Sequence, residues 1–189
     1  MAELLLHGRR TESVFQLLGD DENAISYSVA WALAECPAFL SVVLKEVANW
    51  SGPTAGVVIR LQQYESEGGV TDIEIEQSSD FYIIMEAKRG WELPGANQLE
   101  KYAHRKSFSE SRASRKLLVA VSECSNEYAS LKLPFTQVRG VPVRPVSWKA
   151  LYTFALEARR RGSPTERRLL DELAFYLRRL MTITAVQIS

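Results

Sequence analysis

Three side chains in the stretch "GGVTDIEIEQSSDFYIIMEAKRG", Gly68 to Gly90, have types and spacing that can do chemistry: Asp72, Glu86 and Lys88. Charges inside apolar runs are costly to bury unless paired or bound to a metal. Two carboxylates on strands suit a hard divalent cation such as Mg2+, which takes oxygen ligands and keeps several waters. Such an ion lowers the pKa of a bound water and neutralises charge developing on a phosphate. A lysine two residues after the second carboxylate points to the same site. There it positions an attacking water or stabilises a pentavalent transition state as a compact charge.

The elements that must hold these residues follow from patterning. "GVVIRLQQYES", "GVTDIEIEQ" and "DFYIIMEAKR" read as strands joined by "EGG" and "SSD", short enough for hairpins, so an antiparallel meander is expected. Alternation puts Asp72, Glu74 and Glu76 on one face, and Tyr82, Ile84, Glu86 and Lys88 on one face of the next strand. Asp72 then lies at the start of one strand and Glu86 at the end of its neighbour, and Lys88 joins them at one edge. The plainer account is a solvated acidic face with Lys88 as a surface ion partner. It serves for Glu74 and Glu76. It is weaker for the other three, because "FYIIMEAK" is apolar on both faces. In the following helix, "GANQLEKYAHRKSF", Gln98 and Tyr102 share a face at i and i+4 and could steady a bound water or phosphate, or Tyr102 could simply pack on the sheet.

Asp72, then Glu86-Ala87-Lys88, then Gln98 and Tyr102 resemble the PD-(D/E)XK nuclease superfamily, above all its RecB-like and lambda-exonuclease-like branch with a Q-x-x-x-Y motif. The resemblance spans about Asp20 to Val121, with Thr71-Asp72 in place of the proline-aspartate pair. It implies an α/β fold with a restriction-endonuclease-like core: helix, three-strand antiparallel meander, helix, strand. It also implies Mg2+ or Mn2+ held by Asp72, Glu86 and the backbone carbonyl of Ala87. Lys88 would act on the nucleophile, Gln98 and Tyr102 would support the site, and another acid would come from the first core helix. Glu22 is the choice for that acid, as a ligand directly or through water, with Glu12 in reserve. A first-turn acid favouring the helix dipole explains Glu22 equally well.

Around this core the chain reads as one domain of 189 residues. "TESVFQLLG" is a helix capped by Thr11 and stopped by Gly19, followed by helices in "DDENAISYSVAWALAEC" and from Pro37. "RKLLVAVSE" is a buried strand, and "VPVRPVSW" a short edge strand limited by its prolines. The nuclease core then covers about 20–147 and a helical extension about 148–181. Ser163, Pro164 and Glu166 give a clear helix start. Leu169, Leu170, Leu173, Leu177 and Leu180 mark an apolar stripe, an amphipathic face that could also meet a second copy or a partner protein.

Lys+Arg and Asp+Glu balance at 23 each, so a global basic field is excluded and nucleic acid would need a local patch. Lys101, Arg105 and Lys106, with Arg112, Arg115 and Lys116 beyond, are the residues expected to contact phosphates. Two histidines leave little room for zinc or Ser/His/Asp chemistry, and Cys36 and Cys124 match no metal spacing. No run approaches a membrane span or a signal peptide, which points to the cytoplasm. The expected function is a metal-dependent nuclease acting on DNA ahead of RNA. The alternative is a non-catalytic or partner-activated nucleic-acid-binding or assembly module on the same fold.

Overall fold

The computed structural model describes residues 4–7 and 9–187. A two-strand ribbon, β1 (Leu5–Leu6) with β2 (Arg9–Arg10), precedes a 3-10 turn at Val14–Leu18. Its cap is Ser13 and not Thr11. The Ser13 hydroxyl accepts the Phe15 amide, and the Gln16 side chain accepts the Ser13 amide in return. Gly19 ends the turn at φ 109°, where a side chain would be strained.

Helix α1 (Glu22–Glu35) starts at Asp21, whose carboxylate accepts the Ala24 amide at 2.8 Å. Helix α2 (Pro37–Ala48) opens on its proline and ends at Asn49 in the left-handed region. Among the described residues no single helix is long and apolar enough to cross a membrane. Together α1 and α2 have the length and composition, but they are bent by 110° where they meet.

Strands β3 (Val58–Glu65), β4 (Gly69–Gln77) and β5 (Phe81–Ala87) form an antiparallel meander. Helix α3 (Ala96–His104) and the short α4 (Lys106–Ser109) lead into β6 (Arg115–Ser122), which runs parallel to β5. Helix α5 (Asn126–Lys132), capped by Ser125, is an element the sequence reading does not contain. It crosses to β7 (Gln137–Val138) and β8 (Val141–Ser147). The latter pairs parallel with β6 and antiparallel with β7, so "VPVRPVSW" is the second strand from the edge and not the edge itself. Pro145 lies beyond the register of the two-residue β7, which reaches only Val141 and Pro142, so most of that side of β8 is unpaired. Helices α6 (Trp148–Arg159) and α7 (Pro164–Gln187) complete the described chain.

The protein is therefore α/β. Among the described residues it has seven α-helices and one six-stranded mixed sheet in the order β3-β4-β5-β6-β8-β7. Helices α1, α2, α6 and α7 cover one face, packing on Ile73, Ile75, Phe81, Ile83 and Met85. Helices α3 and α4 cover the other, where Leu99, Tyr102 and Phe108 meet Tyr82, Ile84 and Leu118. Strand β5 is buried along its whole length because both faces are covered, which explains its nearly continuous apolar run.

The two C-terminal helices belong to this core. Leu170, Leu173, Leu177 and Leu180 are buried in the same apolar cluster as α1, α2 and the sheet. The stripe offered for a dimer or partner contact is thus used within the chain. Glu166 closes the capping box on Ser163 and also accepts the Ala38 amide at the start of α2, tying the two helix ends together.

Candidate active site

The site lies where β4 and β5 face the first turn of α1 and the exposed end of the sheet. Lys88 follows directly on β5, and its amide continues the pairing by donating to the Val121 carbonyl at 2.8 Å. The Lys88 ammonium stands 2.8 Å from Glu86 Oε1 and 3.6 Å from Glu22 Oε2. Asp72 reaches the same place from β4. Its Oδ2 accepts the amide of Ala87 at 2.8 Å, and its Oδ1 accepts Gln62 Nε2 at 3.1 Å. The other Glu22 oxygen accepts the Arg89 amide at 3.0 Å.

Helix α3 closes the site from the opposite face. The i and i+4 spacing aims Gln98 and Tyr102 at one carboxylate. Gln98 Nε2 donates to Glu86 Oε1, and Tyr102 Oη lies 2.6 Å from Glu86 Oε2. The same phenol oxygen is 2.7 Å from the Val70 carbonyl, so its single proton serves two acceptors. Asp72, Glu86, Ala87, Lys88, Gln98, Tyr102 and Glu22 are thus brought together. Glu12, on the chain entering the first 3-10 turn, instead donates its amide to Gln16.

The electrostatics follow from crowding. Burial raises the Glu86 carboxyl above its ordinary range, and the Asp72 charge adds to this against the hydrogen bonds from Lys88 and Tyr102. Burial likewise raises Asp72, with Glu22 adding, against the Ala87 and Gln62 hydrogen bonds. For Lys88, burial pulls the ammonium down, but the hydrogen bond and charge of Glu86, with Glu22 and Asp72, carry it above its usual value. Burial, then the Glu86 charge, pushes Tyr102 upward, so it stays a phenol and a donor.

Three expectations are corrected here. Arg105 is not a phosphate contact: it is 2% exposed, because α3 breaks at this residue and turns it inward. Its guanidinium donates to the Gly69 and Gln63 carbonyls at 2.7 and 3.2 Å and pairs with Glu74 at 3.1 Å. Glu74 is accordingly not a solvated acid. It is buried, accepting from Tyr82 at 2.6 Å and Thr71 at 2.8 Å, while Glu76 pairs with Arg60. Third, Asp72 does not share partners with Glu74 as alternation requires. Thr71 and Glu74, of opposite parity, touch each other, and Gln62 beside Asp72 has φ 49°. The pleat is interrupted at this point, which turns Asp72 toward Ala87 and α1.

Lys101 and Lys106 are exposed at the end of α3 and the start of α4. Arg115 and Lys116 begin β6, which runs parallel to β5, and so lie at the far end of the sheet from Lys88. There Arg115 donates to the carbonyls ending α2. Sequence reasoning missed Gln62 and Asn23. Gln62 Nε2 links the Asp72 carboxylate to Asn23 Oδ1 on α1 at 3.1 Å, and a neutral amide in a strand carries no periodic signal.

For a metal, the donor set is two carboxylates and one carbonyl. Among the described residues no group of three His, Cys, Asp or Glu side chains is placed to hold an ion. Oxygen donors of this kind are the type that hard divalent cations such as Mg2+ or Mn2+ take. Glu22 meets the site at the Lys88 ammonium and the Arg89 amide. Comparison with models of known families, with curated proteins and with solved structures found no match to this chain.

Proposed function

We propose that the chain is a metal-dependent nuclease that hydrolyses phosphodiester bonds in DNA, built on a restriction-endonuclease-like core. One observation carries the reading: a single ammonium, Lys88, is gathered with three carboxylates, Asp72, Glu86 and Glu22. Carboxylates outnumber the ammonium three to one, with Glu86 buried, and burial of like charges is costly unless a cation offsets it. The order α1, antiparallel meander, α3 and parallel β6 is the order the superfamily resemblance implies, and supports the same reading.

A divalent ion on Asp72, Glu86 and the Ala87 carbonyl would supply Lewis-acid stabilisation of the phosphate and a lowered pKa for water. The chain's own groups do the rest. Hydrolysis adds a water oxygen to phosphorus, breaks one P–O ester bond and delivers a proton to the leaving oxygen. Lys88, with its raised pKa, stays an ammonium. It donates hydrogen bonds that orient the water, and its charge stabilises the phosphorane-like transition state. Gln98 and Tyr102 fix the rotamer of Glu86, and Gln62 and the Ala87 amide fix Asp72, so neither carboxylate must reorganise during the reaction.

Incubation with linear duplex, circular and single-stranded DNA in Mg2+, Mn2+ or EDTA tests this. Cleavage that needs the metal is the expected result. Failure to cleave any of these substrates with either ion contradicts the reading.

A further inference from the structure

The connection between β5 and α3 has a site residue near each end, Lys88 before it and Gln98 after it, and in its middle it carries an exposed tryptophan. Trp91 is 57% exposed. It sits in a turn closed by the Glu92 amide on the Arg89 carbonyl, with Gly90 at φ 60°. Two residues separate it from Lys88, so the backbone spans three steps, a reach of at most about 11 Å even if fully extended. Its backbone is pinned. The Gly90 amide donates to Glu123 Oε1 at 3.0 Å, the Glu123 amide returns a bond to Gly90 O at 2.9 Å, and the Cys124 thiol meets Trp91 O at 3.5 Å. Tyr128, 38% exposed on α5, stands edge-on to the Trp91 ring at 5.2 Å, and the exposed Lys132 ammonium lies 5.9 Å from the centre of the Tyr128 ring.

A large aromatic held rigidly in water leaves apolar surface unburied that a mobile turn could hide. The parallel strands β5 and β6 both end at this edge, so the pair lies on the same rim as Asp72, Glu86 and Lys88. An aromatic face, an edge-packed second ring and a nearby cation match what an unpaired nucleobase and its phosphate require: a stacking surface plus charge. Bases within a duplex have both faces covered by their neighbours and cannot use it.

We infer that Trp91, braced by Tyr128, is a stacking subsite for an unpaired base next to the scissile phosphate, so that single-stranded DNA or a frayed end is the preferred substrate. This rests on the nuclease reading above for what happens to the phosphate. The contact itself is tested by binding.

The test uses the full chain carrying Lys88→Ala, with Mg2+ present, so that binding is read without cleavage. Fluorescence anisotropy is measured with a labelled oligothymidylate and with a labelled hairpin duplex, with and without Trp91→Ala or Trp91→Phe. Trp91→Ala is expected to weaken oligothymidylate binding about 5- to 150-fold, the range for losing one base–aromatic stack, and to leave duplex binding nearly unchanged. Trp91→Phe should retain most of the affinity. Equal losses on both probes, no loss on oligothymidylate, or no oligothymidylate binding by the parent would each overturn the inference. Wild-type cleavage is assayed in parallel. A chain that binds through Trp91 yet cleaves nothing would keep the stacking subsite and discard the nuclease reading.

Discussion

The carboxylate of Asp72 is held 2.8 Å from the backbone amide of Ala87, the residue between Glu86 and Lys88. This bond joins the two strands of the β4–β5 hairpin through a side chain at the point where the backbone pairing has ended. The acid of one strand is thereby fixed to the acid and lysine of the next. The site is consequently rigid on the sheet side, and α3 supplies the remaining constraint through Gln98 and Tyr102.

Tyr102→Phe isolates that constraint. It removes the phenol from both Glu86 and the Val70 carbonyl. A stability loss of about 1–3 kcal/mol is expected from the partners left unsatisfied. A drop in kcat larger than any change in KM should accompany it, since the ring still fills its place. Urea unfolding and cleavage kinetics measure the two, and wild-type values in both would contradict the assigned contacts.

Arg105→Ala should act on folding and not on DNA affinity alone. It strands Glu74 without its ion partner in a buried setting, at a cost of about 3–5 kcal/mol. Lys101→Ala and Lys106→Ala, at exposed positions, should stay within about 0.5 kcal/mol of wild type. If they touch phosphates, each should lower the salt dependence of DNA binding by about one unit of slope. Denaturant melts and salt titrations separate the two classes. A silent Arg105→Ala would count against the buried pair.

Leu177→Ala tests whether the C-terminal helices complete the core. Leu177 is buried with Leu173 and Leu180 in the main cluster. Truncation should destabilise the protein by about 2–5 kcal/mol, as cavity formation does. An unchanged melt together with a changed sedimentation coefficient would place the stripe at a subunit contact instead.

Much of the site was legible because short periodicities enforce it. Glu86 and Lys88 share a strand face at a spacing of two, and Gln98 and Tyr102 share a helix face at a spacing of four, whatever the tertiary context. What failed depended on backbone departures that no pattern announces. The inward turn of Arg105 follows from the break after His104 and the close approach of Gly68, where an added Cβ would meet the arginine side chain at 2.2 Å. The turn of Asp72 out of alternation accompanies the left-handed backbone at Gln62. The leucine stripe of α7 was visible, but a stripe does not say whether its own chain or another covers it.

Burial, with the Glu166 and Glu35 charges adding, pushes the Cys36 thiol from its ordinary 9.0 to about 11. A group whose folded pKa is raised contributes stability in full below the unfolded value and loses it as pH rises through the folded one. The protein should therefore lose stability between pH 9 and about 11. Cys36→Ala should lose less across the same window. Unfolding curves at stepped pH compare the slopes, and parallel slopes would contradict the burial of an intact thiol.

One ammonium among three carboxylates is proposed to perform metal-dependent phosphodiester hydrolysis. The most direct test places wild type and Lys88→Ala side by side on single-stranded and duplex DNA, with Mn2+, Mg2+ or EDTA. Cleavage by the wild type only with metal, reduced in the variant by about a hundredfold or more as for loss of an electrostatic transition-state contact, is the predicted result. Equal cleavage by both chains, or none by the wild type with either ion, would contradict it.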